Sequence, residues 1–307
     1  MMAATSALGL QVVAPNVQPS ALPAGGGRIA YTVARGGNDF IYTMTSSGTD
    51  ERQLVNCGPG ECYPTWSPDG TKILFQKEYD GIGIYVMNGD GSDVRRLSPV
   101  PSLDVRPSWS PDGTRIIFSR VLAPPVNGGI PDTEIDSMNV SGNDVRTLLP
   151  ADNTFNIEAR WSPRGGKIAF MSGRDRSQQI YVMNANGSDV KMITSQGANG
   201  DPFWSPDGSR ISFGSNRQGG GKLNVFTMSA DGSDVRQVTN FLPPYEAGDT
   251  SWSPNGQKIV FELDKGGDGQ SNPGASAQVW IINVNGTDPV STHQSCSAVG
   301  CSPRWQP

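Results

Sequence analysis

The sequence predicts an all-β protein: a six-bladed β-propeller of four-stranded antiparallel blades, closed by a C-terminal strand that completes the first blade. Three observations predict this fold. One tryptophan phrase recurs along the chain, each copy is followed by further short strand patterns, and the two chain ends supply complementary parts of a single blade. A repeat at a nearly fixed period determines the architecture before any single residue is interpreted.

The recurring phrase is Trp-Ser-Pro, followed by one turn residue and a glycine. The steps between successive tryptophans are 43, 52, 43, 48 and 53 residues. The six tryptophans are Trp66, Trp109, Trp161, Trp204, Trp252 and Trp305, the last without a following turn. Four strands in a unit of about 40 to 50 residues are typical of a propeller blade. We expect the tryptophans to pack between blades, and not to face one common ligand site.

The copy around Trp66 shows how one blade is built. Pro68 presets φ and Gly70 supplies a positive φ in the first tight turn. A second tight turn spans residues 90–93. Strand patterns occupy residues 64–66, 72–76, 84–87 and 94–97. Such a unit is an antiparallel meander with hairpin turns.

The two ends of the chain predict how the ring closes. Residues 28–31, 40–44 and 51–55 match a second, third and fourth strand without a tryptophan strand before them, and residues 303–305 match a first strand alone. We expect the C-terminal strand to become the innermost strand of the first blade, which removes an open sheet edge. The propeller then spans residues 28–307. Residues 1–27 lack charge and are predicted to form a flexible Ala/Pro/Gly-rich tail, or the remnant of a clipped leader.

Charge and hydropathy exclude two classes of partner. The formal net charge is -5 and is spread without long runs, whereas nucleic acid requires a clustered basic face. No apolar stretch of about 18 residues occurs, so no membrane span is predicted. We expect a monomer.

Four cysteines form two Cys-x4-Cys pairs, Cys57 with Cys62 and Cys296 with Cys301. Each pair lies nine and four residues before a tryptophan, Trp66 or Trp305. Two pairs in the same structural position predict two local disulfides, and zinc is not indicated because four thiolates would have to converge. Paired cysteines favour an oxidising compartment, periplasmic or secreted; the alternative is four free thiols in the cytosol.

The phrase Trp-Ser-Pro-Asp-Gly-x-x-Ile-x-Phe, a Ser-x-Arg loop and then Ile-Tyr-Val-Met-Asn resembles the WD40-like (PD40) repeat of the TolB propeller family. Residues 201–213 with Ser215-Asn-Arg217 are a close example. The resemblance covers about residues 28–307. It implies a six-bladed propeller, and for function it implies a scaffold, a peptidase propeller or a polysaccharide lyase alike, because function depends on the site and not on the fold.

Candidate ligand residues occupy a column three residues before each tryptophan, at the predicted channel mouth. The column is Tyr63, Arg106, Glu158, Asp201, Asp249 and Ser302. Three acidic members in succession could bind a cation such as calcium through oxygen ligands. The alternative is pairing with a basic column on the same face: Arg35, Lys77, Arg120, Arg174, Arg217 and Lys265. We include Arg174 and Arg217 in the predicted site and favour this pairing over calcium; no other cofactor is expected.

Phe241 and Tyr245 interrupt the repeat in a long inter-blade segment and are candidate anchors for a protein partner, or alternatively cover a blade edge. Any serine or cysteine mechanism would need His293, the single histidine. We therefore predict a non-catalytic protein- or peptide-binding scaffold of the cell envelope or secreted space. A polysaccharide lyase or hydrolase using Glu158 and Asp201, or a carbohydrate-binding propeller, is the alternative.

Overall fold

The computed structural model describes residues 27–78, 81–123, 131–264, 277–296 and 300–307. In this part of the chain all regular structure is β, and it contains no helix that could span a membrane. The strands form six four-stranded antiparallel sheets, which are the blades of a propeller.

The bounds of the strands, from the innermost strand outward, are as follows. Blade 1 contains β24 (Arg304–Trp305), β1 (Ile29–Arg35), β2 (Asn38–Met44) and β3 (Arg52–Gly58). Blade 2 contains β4 (Thr65–Trp66), β5 (Lys72–Glu78), β6 (Ile82–Asn88) and β7 (Arg95–Arg96). Blade 3 contains β8 (Asp104–Trp109), β9 (Arg115–Ala123), β10 (Asp132–Asn139) and β11 (Arg146–Leu149).

The other three blades follow the same order. Blade 4 contains β12 (Asn156–Trp161), β13 (Lys167–Ser172), β14 (Gln179–Asn184) and β15 (Lys191–Met192). Blade 5 contains β16 (Asn199–Trp204), β17 (Arg210–Ser215), β18 (Asn224–Ser229) and β19 (Arg236–Gln237). Blade 6 contains β20 (Glu246–Trp252), β21 (Lys258–Asp264), β22 (Gln278–Asn283) and β23 (Val290–Ser295).

The predicted closure of the ring is confirmed. β24 pairs with β1 through Ile29 opposite Trp305 and Ala30 opposite Arg304. Gln306 N–H donates to the carbonyl of Arg28 at 2.7 Å, and the Gln306 side chain donates to the carbonyl of Gly70 in blade 2 at 2.8 Å. The end of the chain therefore connects its own first blade to the second.

The hydrophobic core lies between blades, in six clusters that each join two neighbours around the ring. The cluster that contains Tyr31 and Trp305 of blade 1 also contains Val279 of blade 6, so the packing is continuous across the closure. The second strands contribute one fully buried aromatic ring each. These residues are Tyr31, Phe75, Phe118, Phe170, Phe213 and Phe261.

The tryptophans pack between blades, as predicted. The indole Nε1–H of Trp109, Trp204 and Trp252 donates to a carbonyl of the preceding blade, at 3.2, 3.0 and 3.1 Å. The expectation that they face no common site is wrong. Because each occupies the same position in its blade, all six converge on the ring axis and line one cavity, which we call the tryptophan mouth.

Candidate binding site at the loop mouth

The column three residues before each tryptophan shares an unusual backbone conformation. All six residues have a left-handed backbone, with φ between 40° and 60°. In β8, β12, β16 and β20 the pairing register breaks at this point, for example between Val105 and Ser108. A non-glycine residue in this region costs about 1 to 2 kcal/mol, and such strain concentrates at functional sites.

The bulge directs the column toward the opposite end of the channel from the tryptophans. Five members of the column line a cavity of about 380 Å³: Tyr63, Arg106, Glu158, Asp201 and Asp249. We call this cavity, with Glu61, Glu246, Glu262 and Asp264 on its wall, the loop mouth. The structure therefore brings together five of the seven residues predicted for the ligand site.

Arg106 is the central cation of the loop mouth. Its guanidinium lies 4.1 Å from the centre of the Tyr63 ring and donates to the Tyr63 hydroxyl at 2.8 Å. It also forms an ion pair with the buried Glu158 and lies 3.8 Å from an oxygen of Asp201. The Asp201 backbone N–H donates to the second Glu158 oxygen at 2.8 Å. Arg106, in blade 3, thus contacts residues of three other blades.

Asp249 has a cation of its own. Arg304, on the closing strand, approaches one Asp249 oxygen at 2.7 Å, and the Ser302 hydroxyl donates to the other at 2.8 Å. Burial alone would raise the pKa of Asp249, but Arg304 and Arg106 outweigh it and lower that pKa. Asp249 is therefore ionised, and the closing strand contributes to the site as well as to the ring.

Two further carboxyl groups, Glu61 and Glu262, belong to the site although the column did not predict them. Burial raises the pKa of Glu61 to about 8 and that of Glu262 to about 7, and the charge of Asp249 adds to both effects. Burial, with Glu158 and Asp249 nearby, also raises the pKa of Asp201 well above its usual range. Several carboxyl groups of the loop mouth therefore carry protons at neutral pH.

Glu61 lies inside the disulfide loop between Cys57 and Cys62, and Gly300 lies inside the loop between Cys296 and Cys301. Both predicted disulfides are present. A Cβ atom on Gly300 would lie 2.9 Å from Glu61 Oε1 and 3.2 Å from Glu262 Oε2. Hence the two disulfide loops converge at the carboxyl pair, and a side chain at Gly300 would have to displace the Glu61 carboxyl group.

We predict that Glu61→Gln makes stability less dependent on pH. In the folded protein this carboxyl keeps its proton up to about pH 8, whereas its ordinary pKa is 4.5. Wild-type stability should therefore fall as the pH rises between those values, by at most about 1.4 kcal/mol per pH unit for one proton. The variant should be the more stable protein at pH 8.5, which urea unfolding at pH 5.5, 7 and 8.5 measures. A constant difference between the two proteins across this range would contradict the assignment.

The predicted pairing of the acidic and basic columns is wrong. Where the structure describes the basic residues, they stack on aromatic rings of their own blade: Arg174 lies 5.0 Å from the ring centre of Tyr181, and Arg217 lies 4.9 Å from that of Phe213. Arg120 lies 5.2 Å from the ring centre of Phe118 and also pairs with Asp104 and Asp136 of its own blade. The bulge turns the acidic column into the channel, whereas the basic residues lie one strand farther out. Arg174 and Arg217 do not line the loop mouth, and Lys265 lies outside the described residues.

Phe241 and Tyr245 have packing partners within blade 6. The Phe241 ring lies 6.2 Å from Phe261 and 6.4 Å from Trp280, and Tyr245 lies 6.3 Å from Phe241, measured between ring centres. This arrangement favours the blade-edge role, while Leu242 between them is 56% exposed. Their role as anchors for a partner stays a prediction.

The acidic column is also the predicted location of a calcium site and of a pair of catalytic carboxyl groups. Within the described ranges, no group of three or more His, Cys, Asp and Glu side chains is arranged to hold a metal ion. The Glu158 and Asp201 side chains are hydrogen-bonded to each other. Glycoside hydrolysis requires carboxyl groups about 5 Å or more apart on either side of the scissile bond. His293 is exposed on β23 and does not line the loop mouth.

The fold and site define a closed six-bladed β-propeller with an acidic channel. A family model described as the TolB beta propeller domain (PD40) matches residues 6–153 and 138–262, and the chain belongs to this family. An uncharacterized protein of Agrobacterium fabrum is 33% identical over 81 residues, and the Tol-Pal system protein TolB of Alcanivorax borkumensis is 32% identical over 88 residues. These matches cover 26% and 28% of this chain, and 27% and 20% of the relatives' own lengths.

Solved structures support the fold over a longer range. TolB from Acinetobacter baumannii superposes with a TM-score of 0.74 at 24% identity, over 92% of this chain and 67% of that one. A putative TolB from Agrobacterium tumefaciens gives 0.68 at 21% identity, over 92% and 100% of the two chains. At these identities the likeness establishes the propeller alone.

Proposed function

We propose that this protein is a non-catalytic binding scaffold, periplasmic or secreted, whose loop mouth holds a basic segment of an envelope or secreted protein. The charge of the loop mouth carries the proposal. Its lining includes seven acidic residues and one basic residue, Arg106. Arg106 is already paired with Glu158, and Asp249 with Arg304. A lysine or arginine side chain from a partner would be attracted by the other acidic groups, three of which would release a proton as it enters.

The rim of the cavity suits such a partner. Glu246 and Lys222 approach at 3.2 Å with about a third of each side chain exposed, and exposed pairs of this kind contribute only about 0 to 1 kcal/mol. A partner's cation can therefore replace Lys222 at low cost. Protons held by Glu61, Glu262 and Asp201 can be released as a cation enters, which adapts the mouth to its ligand.

Three further observations support a non-catalytic role outside the cytosol. The two disulfides fit an oxidising compartment. One relative of this chain carries the name of a Tol-Pal system protein. The hydrogen-bonded carboxyl groups of Glu158 and Asp201 do not favour the hydrolase alternative.

Selection from a random peptide display library tests this function. The immobilised protein is compared with a mouth variant, Glu246→Gln with Asp264→Asn, and a control variant, Asp93→Asn with Asp288→Asn. The control removes the same charge from two tight turns. Asp93 and Asp288 have a left-handed backbone in these turns, a conformation that asparagine also adopts. We expect wild type and control to enrich lysine- and arginine-containing peptides.

Synthetic copies of the enriched peptides then give affinities. The mouth variant should bind them about tenfold more weakly, and added salt should weaken binding to the wild type. Enrichment of neutral peptides, or equal losses in the two variants, would contradict the proposal. Adding calcium to the wild type tests the alternative that the loop mouth binds a metal. Competition of calcium with the peptide, together with a thermal shift, would assign the loop mouth to a metal.

A further inference from the structure

The channel contains a second charged layer between the loop mouth and the tryptophans. This layer is formed by the residue immediately before each tryptophan: Thr65, Ser108, Arg160, Phe203, Ser251 and Arg304. The guanidinium groups of Arg160 and Arg304 each lie 5.5 Å from the centre of the Phe203 ring. The layer therefore carries two buried positive charges around one aromatic ring.

The positive charges are only partly compensated. Arg304 pairs with Asp249, whereas Arg160 has no carboxylate partner among the described residues and donates to the carbonyl of Pro107 at 3.0 Å. Burial, and then the charge of Arg304, lowers the pKa of Arg160 to about 9, so it remains protonated at neutral pH. The acidic loop mouth and this basic layer polarise the channel along its axis.

Arg304 also has an unused donor. Its side chain is 4% exposed, lines the tryptophan mouth, and has an Nε–H with no hydrogen-bond acceptor in the described part of the chain. Buried polar groups normally have a partner, so an unpaired donor in a cavity indicates a place for an acceptor.

The walls of the tryptophan mouth around Arg304 are largely apolar. The six tryptophans are joined by a ring formed by the residue two positions after each one: Pro68, Pro111, Pro163, Pro206, Pro254 and Pro307. The cavity measures about 330 Å³, within the range of about 300 to 1,000 Å³ of small-molecule sites, which combine apolar walls with a few placed polar groups.

We propose that the tryptophan mouth is a second binding site, for a small apolar molecule that carries one anionic group. The apolar body packs within the ring of tryptophans and prolines, and the anionic group accepts hydrogen bonds from Arg304. A cation is disfavoured because Arg304 lines the cavity and Arg160 lies beside Phe203, which also lines it. The ligand competes with Asp249 for Arg304, so the charge of Asp249 limits its affinity.

Two matched probes test the site: 8-anilinonaphthalene-1-sulfonate, and N-phenyl-1-naphthylamine, which has the same aromatic body without the sulfonate. Binding is followed by energy transfer from the tryptophans. We expect the sulfonate to bind at least about tenfold more tightly than the amine. Asp249→Asn should strengthen sulfonate binding, because it frees Arg304, and should leave the amine unaffected.

Two further variants locate the probe. Adding Arg304→Met to Asp249→Asn keeps the local charge balanced and should reduce sulfonate affinity to that of the amine. If that double variant does not fold, Pro163→Glu at the exposed rim should weaken the sulfonate selectively. The loop-mouth variant, Glu246→Gln with Asp264→Asn, should bind both probes as the wild type does. The outcome of this test is therefore independent of the proposed function. Equal affinities of the two probes, or no response to Asp249→Asn, would overturn the proposal.

Discussion

Deletion of residues 302–307 is expected to destabilise the whole ring, and by more than any single surface substitution. The deletion removes β24 and its pairing with β1, and exposes an open edge of blade 1. It also removes the buried indole of Trp305, and truncation of such a side chain alone costs about 3 to 5 kcal/mol. Asp249 loses Arg304 at the same time.

Thermal and urea unfolding followed by circular dichroism measure this effect. Deletion of Pro307 alone is the control, because this residue is exposed and lies beyond β24. A melting temperature of the six-residue deletion equal to that of the wild type would show that the C-terminal strand does not close the ring.

Arg106→Met is expected to cost about 3 to 5 kcal/mol at pH 7.5, the typical cost of removing one partner from a buried ion pair. Glu158, with 5% of its side chain exposed, loses its cation, and Asp201 loses the nearest positive charge. Burial already raises the pKa of Asp201, and without Arg106 this group retains its proton to a still higher pH. The cost should therefore decrease as the pH is lowered toward 5, because protonation removes the unpaired charges.

Arg52→Met provides the matched control. Arg52 pairs with Asp50, but 62% of its side chain is exposed, so its loss should cost about 1 kcal/mol or less. Unfolding free energies at pH 5, 6 and 7.5 compare the two variants. Equal costs, or an Arg106→Met cost that does not change with pH, would contradict the role of Arg106 as the counter-ion of the loop mouth.

Counting from the tryptophans predicts most of the fold, because every blade repeats the same turn and packing chemistry. The closing strand, the disulfides and the column at the loop mouth all follow from fixed offsets. The predicted fourth strand at residues 94–97 shortens to Arg95–Arg96. It is an edge strand with one neighbour, so fewer hydrogen bonds maintain it.

The side-chain partners within the site could not be predicted in the same way. Offsets place Glu158 and Arg174 on one face, but the left-handed bulge at Glu158 turns its side chain inward to Arg106. Glu61 is a member of a disulfide loop, and nothing in its spacing indicates a channel position. The charged layer next to the tryptophan mouth could be predicted from the sequence in the same way. Arg160 and Arg304 each directly precede a tryptophan of the repeat.

Photo-crosslinking of a selected basic peptide shows whether the loop mouth holds the partner. A benzophenone side chain is placed at Tyr63, beside Arg106, and in a second protein at Trp161, on the tryptophan mouth. If the loop mouth holds the partner, we expect a crosslink from position 63 that excess unlabelled peptide abolishes, and none from position 161. A peptide that binds both proteins but crosslinks only from position 161 would contradict it.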